Sequence, residues 1–164
     1  MYCLKASLNF LFKTWLNFNM QLIRLKVINK RDKKNFKILE VPGNMTLYKV
    51  AEVIVKSFGF YFDHCFGFYD NFDNPNKSTE MFELFTDLED VEHTPNAKGV
   101  KKHYFVSDLF EKNVRMLFLF DYGDGWHFIL ELLDDKERVY SVPKNYYKIF
   151  ESHGVDPEQY PDID

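Results

Sequence analysis

Between Val114 and Leu133 the chain carries two apolar runs, Arg115 to Asp121 and Trp126 to Leu133, split by Tyr122-Gly123-Asp124-Gly125. Asp-Gly between alternating apolar residues is the strongest local signal for a β-hairpin, because both residues accept the backbone angles that a tight turn requires. A two-residue turn at Asp124-Gly125 pairs Asp121 with Phe128, Leu119 with Leu130 and Leu117 with Leu132. The other face then carries Met116, Phe118, Phe120, Ile129 and Leu133, with Tyr122 across from His127 and Glu131 across from Phe118. Both faces are rich in apolar groups, so the hairpin over 115–133 belongs in the centre of a sheet. The remaining segments must attach to that ribbon.

Gln21 to Ile28 alternates, with Ile23, Leu25 and Val27 on one side and Arg24, Lys26 and Ile28 on the other. Period two marks a half-buried strand. A charged turn over 29–34 leads to a second alternating run, Asn35 to Val41, which Pro42-Gly43-Asn44 ends. Thr46 then caps a helix whose apolar positions are Leu47, Val50, Ala51, Ile54, Val55 and Phe58, spaced at i, i+3, i+4, i+7, i+8 and i+11. Gly59 stands where the left-handed residue that closes a helix belongs. Short strands are expected over Cys65–Tyr69 and Met81–Phe85, separated by the polar loop 70–79. A longer polar loop covers 86–102, and Ser107 caps a short helix through Asn113. Lys136 to Val142 adds an edge strand, and Pro157 and Pro161 limit any terminal helix. Tight turns between strands with segregated helices give a single α+β domain with a mainly antiparallel sheet, starting strand-strand-helix.

The ends and the composition narrow the class of protein. The first 19 residues hold Lys5 and Lys13 and no acid, and Leu4, Leu8, Leu11, Phe12, Trp15 and Leu16 fall on one helical face. That pattern fits an interfacial membrane helix, but an accessory arm is preferred, with the fold running from Met20 to Asp164. No run approaches the roughly 18 apolar residues of a membrane span. Two cysteines, Cys3 and Cys65, and no CxxC pair point to reduced thiols in the cytoplasm. A formal charge of −4 argues against non-specific coating of nucleic acid.

Three segments carry a resemblance. The first is Thr46-Leu47-Tyr48-Lys49-Val50-Ala51-Glu52-Val53-Ile54-Val55-Lys56-Ser57-Phe58-Gly59-Phe60, continued by Asp63-His64-Cys65-Phe66-Gly67-Phe68. The second is Phe118-Leu119-Phe120-Asp121-Tyr122-Gly123-Asp124-Gly125-Trp126, and the third is Pro157-Glu158-Gln159-Tyr160-Pro161. Taken in order, they resemble the plasmid pRiA4b ORF-3-like family, found on plasmids, beside transposable elements and in archaeal and bacterial chromosomes. The resemblance covers about residues 20–164 and implies an α+β fold without assigning an activity. Many relatives carry His two residues after the signature Trp. Here that position is Phe128, and His127 lies one residue earlier, on the opposite face of a strand. Any role of that His does not carry over, and Pro-Glu-Gln-Tyr-Pro, in place of a Cys-containing end of other branches, further weakens a metal reading. The resolvase label borne by some relatives finds no arginine-rich nucleophile motif in this chain.

Asp121, Asp124 and Glu131 could pair as carboxylates for Mg²⁺ or acid–base work, although a turn role suits Asp124. Asp63-His64 could form a dyad, with the plainer alternative that the His64 ring packs under Phe60 or Phe66 and bonds a carbonyl. Lys98, Lys101, Lys102 and His103 beside Tyr104 and Phe105 form a small basic-aromatic patch of the kind that holds phosphate and stacks a base. His93 and His103 read as solvated. Trp126, with Phe118, Phe120, Tyr122 and Phe128, reads as core before it reads as a stacking platform. The candidate binding residues are therefore Asp63, His64, Asp121, Tyr122, Asp124, Trp126, Lys101 and Lys102, with no cofactor and no metal. The leading expectation is a non-catalytic binding module for a small ligand or protein partner, with a symmetric dimer left open. The alternatives are an acid–base or metal-dependent enzyme using Asp121, Asp124 and His64, and a nucleic-acid accessory using the loop lysines.

Overall fold

A computed structural model describes residues 19–133, 138–143 and 145–161 of the chain. The N-terminal arm and the start of the expected strand 136–142 lie outside the described residues. Strand β1 (Asn19–Asn29) and strand β2 (Phe36–Pro42) form the expected first hairpin, in register from Leu22 opposite Pro42 to Ile28 opposite Phe36. Helix α1 (Leu47–Ser57) follows. The Thr46 hydroxyl accepts the Lys49 amide at 3.3 Å, and Gly59, at φ +77°, donates its amide to the Lys56 carbonyl at 3.0 Å. These two contacts satisfy backbone groups that a helix leaves open at its ends. Glu52 holds Lys49 at 2.7 Å and Lys56 at 2.6 Å on the outer side of α1.

The chain continues through β3 (Phe66–Tyr69), β4 (Met81–Glu83), β5 (Arg115–Phe120), β6 (Trp126–Leu132), β7 (Arg138–Ser141) and β8 (Lys148–His153). All pairings are antiparallel, in the order β4-β3-β5-β6-β1-β2-β8. Strand β7 continues the line of β6 along β1, pairing 138–141 with 19–22 beyond the β6 contact at 25–29. The domain is thus α+β with one antiparallel sheet, and β5–β6 sits in its middle.

Helix α1 covers one face of that sheet. Its Val50, Ala51 and Ile54 meet Ile23, Leu25 and Val27 of β1, Leu39 and Val41 of β2, and the inward residues of β5 and β6 in one buried cluster. Phe58 lies 4.7 Å from Phe128, and Phe60 lies 4.7 Å from Trp126. A smaller cluster of Tyr69, Met81, Leu117 and Leu119 occupies the other face, with Phe72 and Ala97 against it.

The central hairpin departs from the expected register. Phe120 pairs with Trp126, Phe118 with Phe128 and Arg115 with Glu131, so the connection has five residues, Asp121 to Gly125, instead of two. Asp121 (φ +56°) and Gly125 (φ +64°) take left-handed backbone, and the Gly125 amide donates to the Asp121 carbonyl at 2.6 Å. The reason lies in the pleat. A two-residue turn would send Phe118 and Phe120 to one face and Phe128 to the other, whereas five residues bring all of them and Trp126 beneath α1. Glu131 therefore faces Arg115, at 3.0 Å, and not Phe118.

Two further corrections concern short elements. The segment after Phe105 is a 3₁₀ turn over Val106–Phe110, held by the Asp108 carboxylate accepting the Phe105 amide at 2.6 Å and not by a Ser107 cap. Strand β8 was not expected from its sequence, whose six residues are all exposed. It forms because β2 offers it an open edge, and its register slips between Ile38 and Leu39 of β2. Such a bulge discourages edge-to-edge pairing of sheets.

Candidate functional site

The loop after α1, the β5–β6 turn and the C-terminal segment meet at one end of the sheet. Gln159 anchors the arrangement. Its Oε1 accepts the Tyr61 amide at 2.6 Å, and its Nε2 donates to the Tyr61 carbonyl at 3.2 Å and to Asp63 Oδ1 at 3.3 Å. This two-way bond to a backbone amide group holds the C-terminal segment against the loop, with Gln159 buried. The adjacent Tyr160 hydroxyl accepts from Gln159 Nε2 at 3.0 Å and donates to Asp63 Oδ2 at 2.9 Å.

His64 completes the cluster. Its Nε2 is 3.0 Å from the Tyr160 hydroxyl, 3.4 Å from Asp121 Oδ2 and 3.8 Å from Asp63 Oδ1. The ring meets Phe120 edge-on at 6.1 Å and, among the described residues, makes no ring contact with Phe60 or Phe66 and no bond to a carbonyl, unlike the plainer alternative. The polar neighbours explain the difference, since a half-exposed imidazole gains more from a hydroxyl and a carboxylate than from a ring already packed elsewhere. Loss of hydrating water, the bond to Asp63, and then the charges of Asp63, Asp121 and Asp124 push the Tyr160 hydroxyl pKa up to about 12. The phenol stays protonated at neutral pH and serves as a donor.

Asp121 occupies the turn itself, away from the Leu119–Phe128 face that the two-residue register implied. Its Oδ1 accepts the amides of Gly123 at 3.0 Å and Asp124 at 3.3 Å, while Oδ2 faces His64. One buried carboxylate thereby shapes the turn and orients the imidazole. Replacing it tests that assignment. Asp121→Ala removes both amide acceptors and places a β-carbon residue without a polar tip in left-handed backbone, so it should cost about 1–3 kcal/mol in urea unfolding. Asp121→Asn keeps an acceptor and tolerates the same backbone, and should lose less than half of that.

Beside this network lies a cleft of about 320 Å³ lined by Arg31, Asp124, Trp126, Gln159, Tyr160 and Pro161. The Arg31 guanidinium carbon sits 4.0 Å from the centre of the Trp126 ring, and the same group donates to the carbonyls of Asp124 and Gly125. Trp126 Nε1 is buried and, among the described residues, has no hydrogen-bond partner. Among the described residues no group of three His, Cys, Asp or Glu side chains could hold a metal ion.

The family profile described as plasmid pRiA4b ORF-3-like protein matches residues 21–156. The chain belongs to the plasmid pRiA4b ORF-3-like family. No curated protein matches it. Among solved structures, a protein of unknown function from Methanosarcina mazei Go1 aligns with a TM-score of 0.61 and 20% identity, over 87% of this chain and 74% of that one. That likeness extends to the fold alone.

In this pRiA4b ORF-3-like domain the structure brings together Asp63, His64, Asp121, Asp124 and Trp126, and it separates the other candidates. Tyr122 turns to the opposite face, where its hydroxyl lies 2.7 Å from that of Tyr69, which donates to Glu83 Oε1 at 2.7 Å. Burial first, and then neighbouring groups that include Glu83, raise the pKa of both phenols. Lys101 approaches the Tyr48 ring at 6.0 Å, and Lys102 is exposed. Lys98 is bound to Glu80 at 2.6 Å, as is Lys112 at 2.7 Å, so acid interrupts the basic patch. His93 meets the Leu88 carbonyl at 2.9 Å, and His103 lines a 220 Å³ cavity with Lys98 and Glu80.

Arg31, Gln159 and Tyr160 were absent from the sequence candidates. The last two lie in the third resemblance segment, which was a usable signal. Arg31 sits in a charged turn among Lys30, Lys33 and Lys34, where nothing local distinguishes it. Among the described residues no helix is long and apolar enough to cross a membrane.

Proposed function

We propose that this domain is a binding module whose small-molecule ligand enters the cleft between Trp126 and Tyr160. One observation carries the reading. The three segments that bear the family resemblance lie far apart in sequence, yet Asp63-His64, Asp121 to Trp126, and Gln159-Tyr160 converge on the same place. The convergence is accompanied by polar groups that lack partners among the described residues. Among the described residues the buried Trp126 indole N–H has no partner and the Asp124 carboxylate accepts no hydrogen bond. Pockets that place a few polar groups around an aromatic wall suit small ligands.

Amide and indole N–H resonances of the full-length protein, recorded with a panel of polar metabolites, test this. A ligand of the cleft shifts Gly123, Gly125 and Trp126 together, and loses affinity in Tyr160→Ala. A panel whose hits all map elsewhere removes the proposal.

The contact between His64 Nε2 and Asp121 Oδ2 favours a second reading, acid–base catalysis. There Asp121 orients the imidazole while Nδ1 exchanges the proton. The same spectra separate the two, because a bound compound that stays chemically intact over a day supports binding and new product signals support the enzyme.

A further inference from the structure

We propose that the cleft recognises a guanidinium group, and that Arg31 occupies the seat until such a ligand displaces it. The proposal rests on the cleft being a binding site and names what it binds. The seat has an aromatic floor and a carbonyl rim. The Arg31 guanidinium lies 4.0 Å from the Trp126 ring centre while donating to two successive turn carbonyls, those of Asp124 and Gly125. A flat cation on an indole face, with its N–H groups directed at oxygens, is how proteins hold guanidinium.

The surroundings have the matching sign. Asp63, Asp121 and Asp124 all act electrostatically on Tyr160, which lines the same cleft. Outside this seat the Arg31 side chain makes no hydrogen bond or ion pair among the described residues. It is exposed on the turn between β1 and β2, and its backbone amide is already held by Asn29 Oδ1 at 3.0 Å. Trp126 is buried, packed 4.7 Å from Phe60 and with the guanidinium over its ring. A side chain tethered beside its own seat lowers the fraction of molecules open to a ligand.

Removing Arg31 should therefore strengthen binding. Agmatine, titrated into the full-length protein and followed at the Trp126 indole N–H, should bind Arg31→Ala roughly two- to thirtyfold more tightly than the unaltered chain, the span of a cation–π contact. Asp124→Asn should weaken agmatine about two- to fivefold, as loss of an exposed ion pair does. An arginine tripeptide binding more tightly than agmatine would locate the natural ligand in a polypeptide, and the reverse order would locate it among free metabolites. Equal or weaker agmatine binding in Arg31→Ala overturns the displacement. Butyrate shifting Gly123 to Trp126 while agmatine does not would overturn the cation class and leave the cleft standing as a binding site. Neither probe acting there, while other metabolites of the panel do, rejects guanidinium recognition alone. Matching melting temperatures of the variants exclude unfolding as the cause.

Discussion

Phe128→Ala is expected to remove about 3–5 kcal/mol from the unfolding free energy, the usual cost of truncating a fully buried ring. Phe128 has no exposed surface and touches the core on three sides, with Phe58 at 4.7 Å, Phe118 at 6.1 Å and Phe60 at 6.4 Å. The residue that closes α1, strand β5 and the loop after α1 all lose packing. Domains of this size are stable by only about 5–15 kcal/mol, so the variant should unfold at markedly lower urea with an unchanged slope. The measurement also examines the hairpin register. Phe118 and Phe128 are direct cross-strand partners. Combining Phe118→Ala with Phe128→Ala should therefore cost less than the two single costs together, by about 0.5 kcal/mol or more. Strict additivity would contradict the five-residue turn, because a two-residue turn places the rings on opposite faces.

Gly67→Ala is the second large expected loss, about 2–5 kcal/mol, from overpacking together with a broken buried hydrogen bond. A β-carbon at this position would lie 2.5 Å from the Tyr69 hydroxyl and 2.9 Å from that of Tyr122. Tyr69 is fully buried and cannot swing aside without abandoning Glu83. Among the described residues Glu83 Oε2 has no partner, so losing the Tyr69 donor would leave both oxygens of a buried carboxylate unpaired there. Thermal unfolding of Gly67→Ala in a Tyr69→Phe background gives the decisive comparison. The added methyl should cost less there, since the hydroxyl it meets is gone. An equal cost in both backgrounds would mean that the ring carbon Cζ of residue 69, at 2.8 Å, and the Tyr122 hydroxyl, and not the Tyr69 hydroxyl, set the requirement for glycine.

Local sequence was a good guide wherever a local cause is sufficient. Thr46, Gly59 and the i, i+3, i+4 spacing between them delimit α1 closely, because capping and amphipathic burial act within a few residues. Alternation in Ile23-Leu25-Val27 likewise identified β1 and its inward face. Strand β8 was illegible because none of its residues is buried, leaving no pattern of inside and outside to read. The candidate site was legible in part. Asp63-His64 as a pair, and Asp121 and Asp124 with His64, were candidates, but the joining of Tyr160 and the cleft to them depends on Gln159 clamping the C-terminal segment onto Tyr61, a contact across 98 residues.

From its own residues the chain determined the fold class, the helix, the first hairpin and the central place of the Phe-rich ribbon, since periodicity and turn chemistry are short-range properties. Tertiary structure alone decided the length of the central turn. Either turn satisfies Asp-Gly locally, and only the burial of Phe118, Phe120, Trp126 and Phe128 beneath α1 distinguishes them. The same long-range packing seated Arg31 on Trp126 and set His64 against Asp121 and Tyr160, because both arrangements join segments that are neighbours only once the sheet has formed.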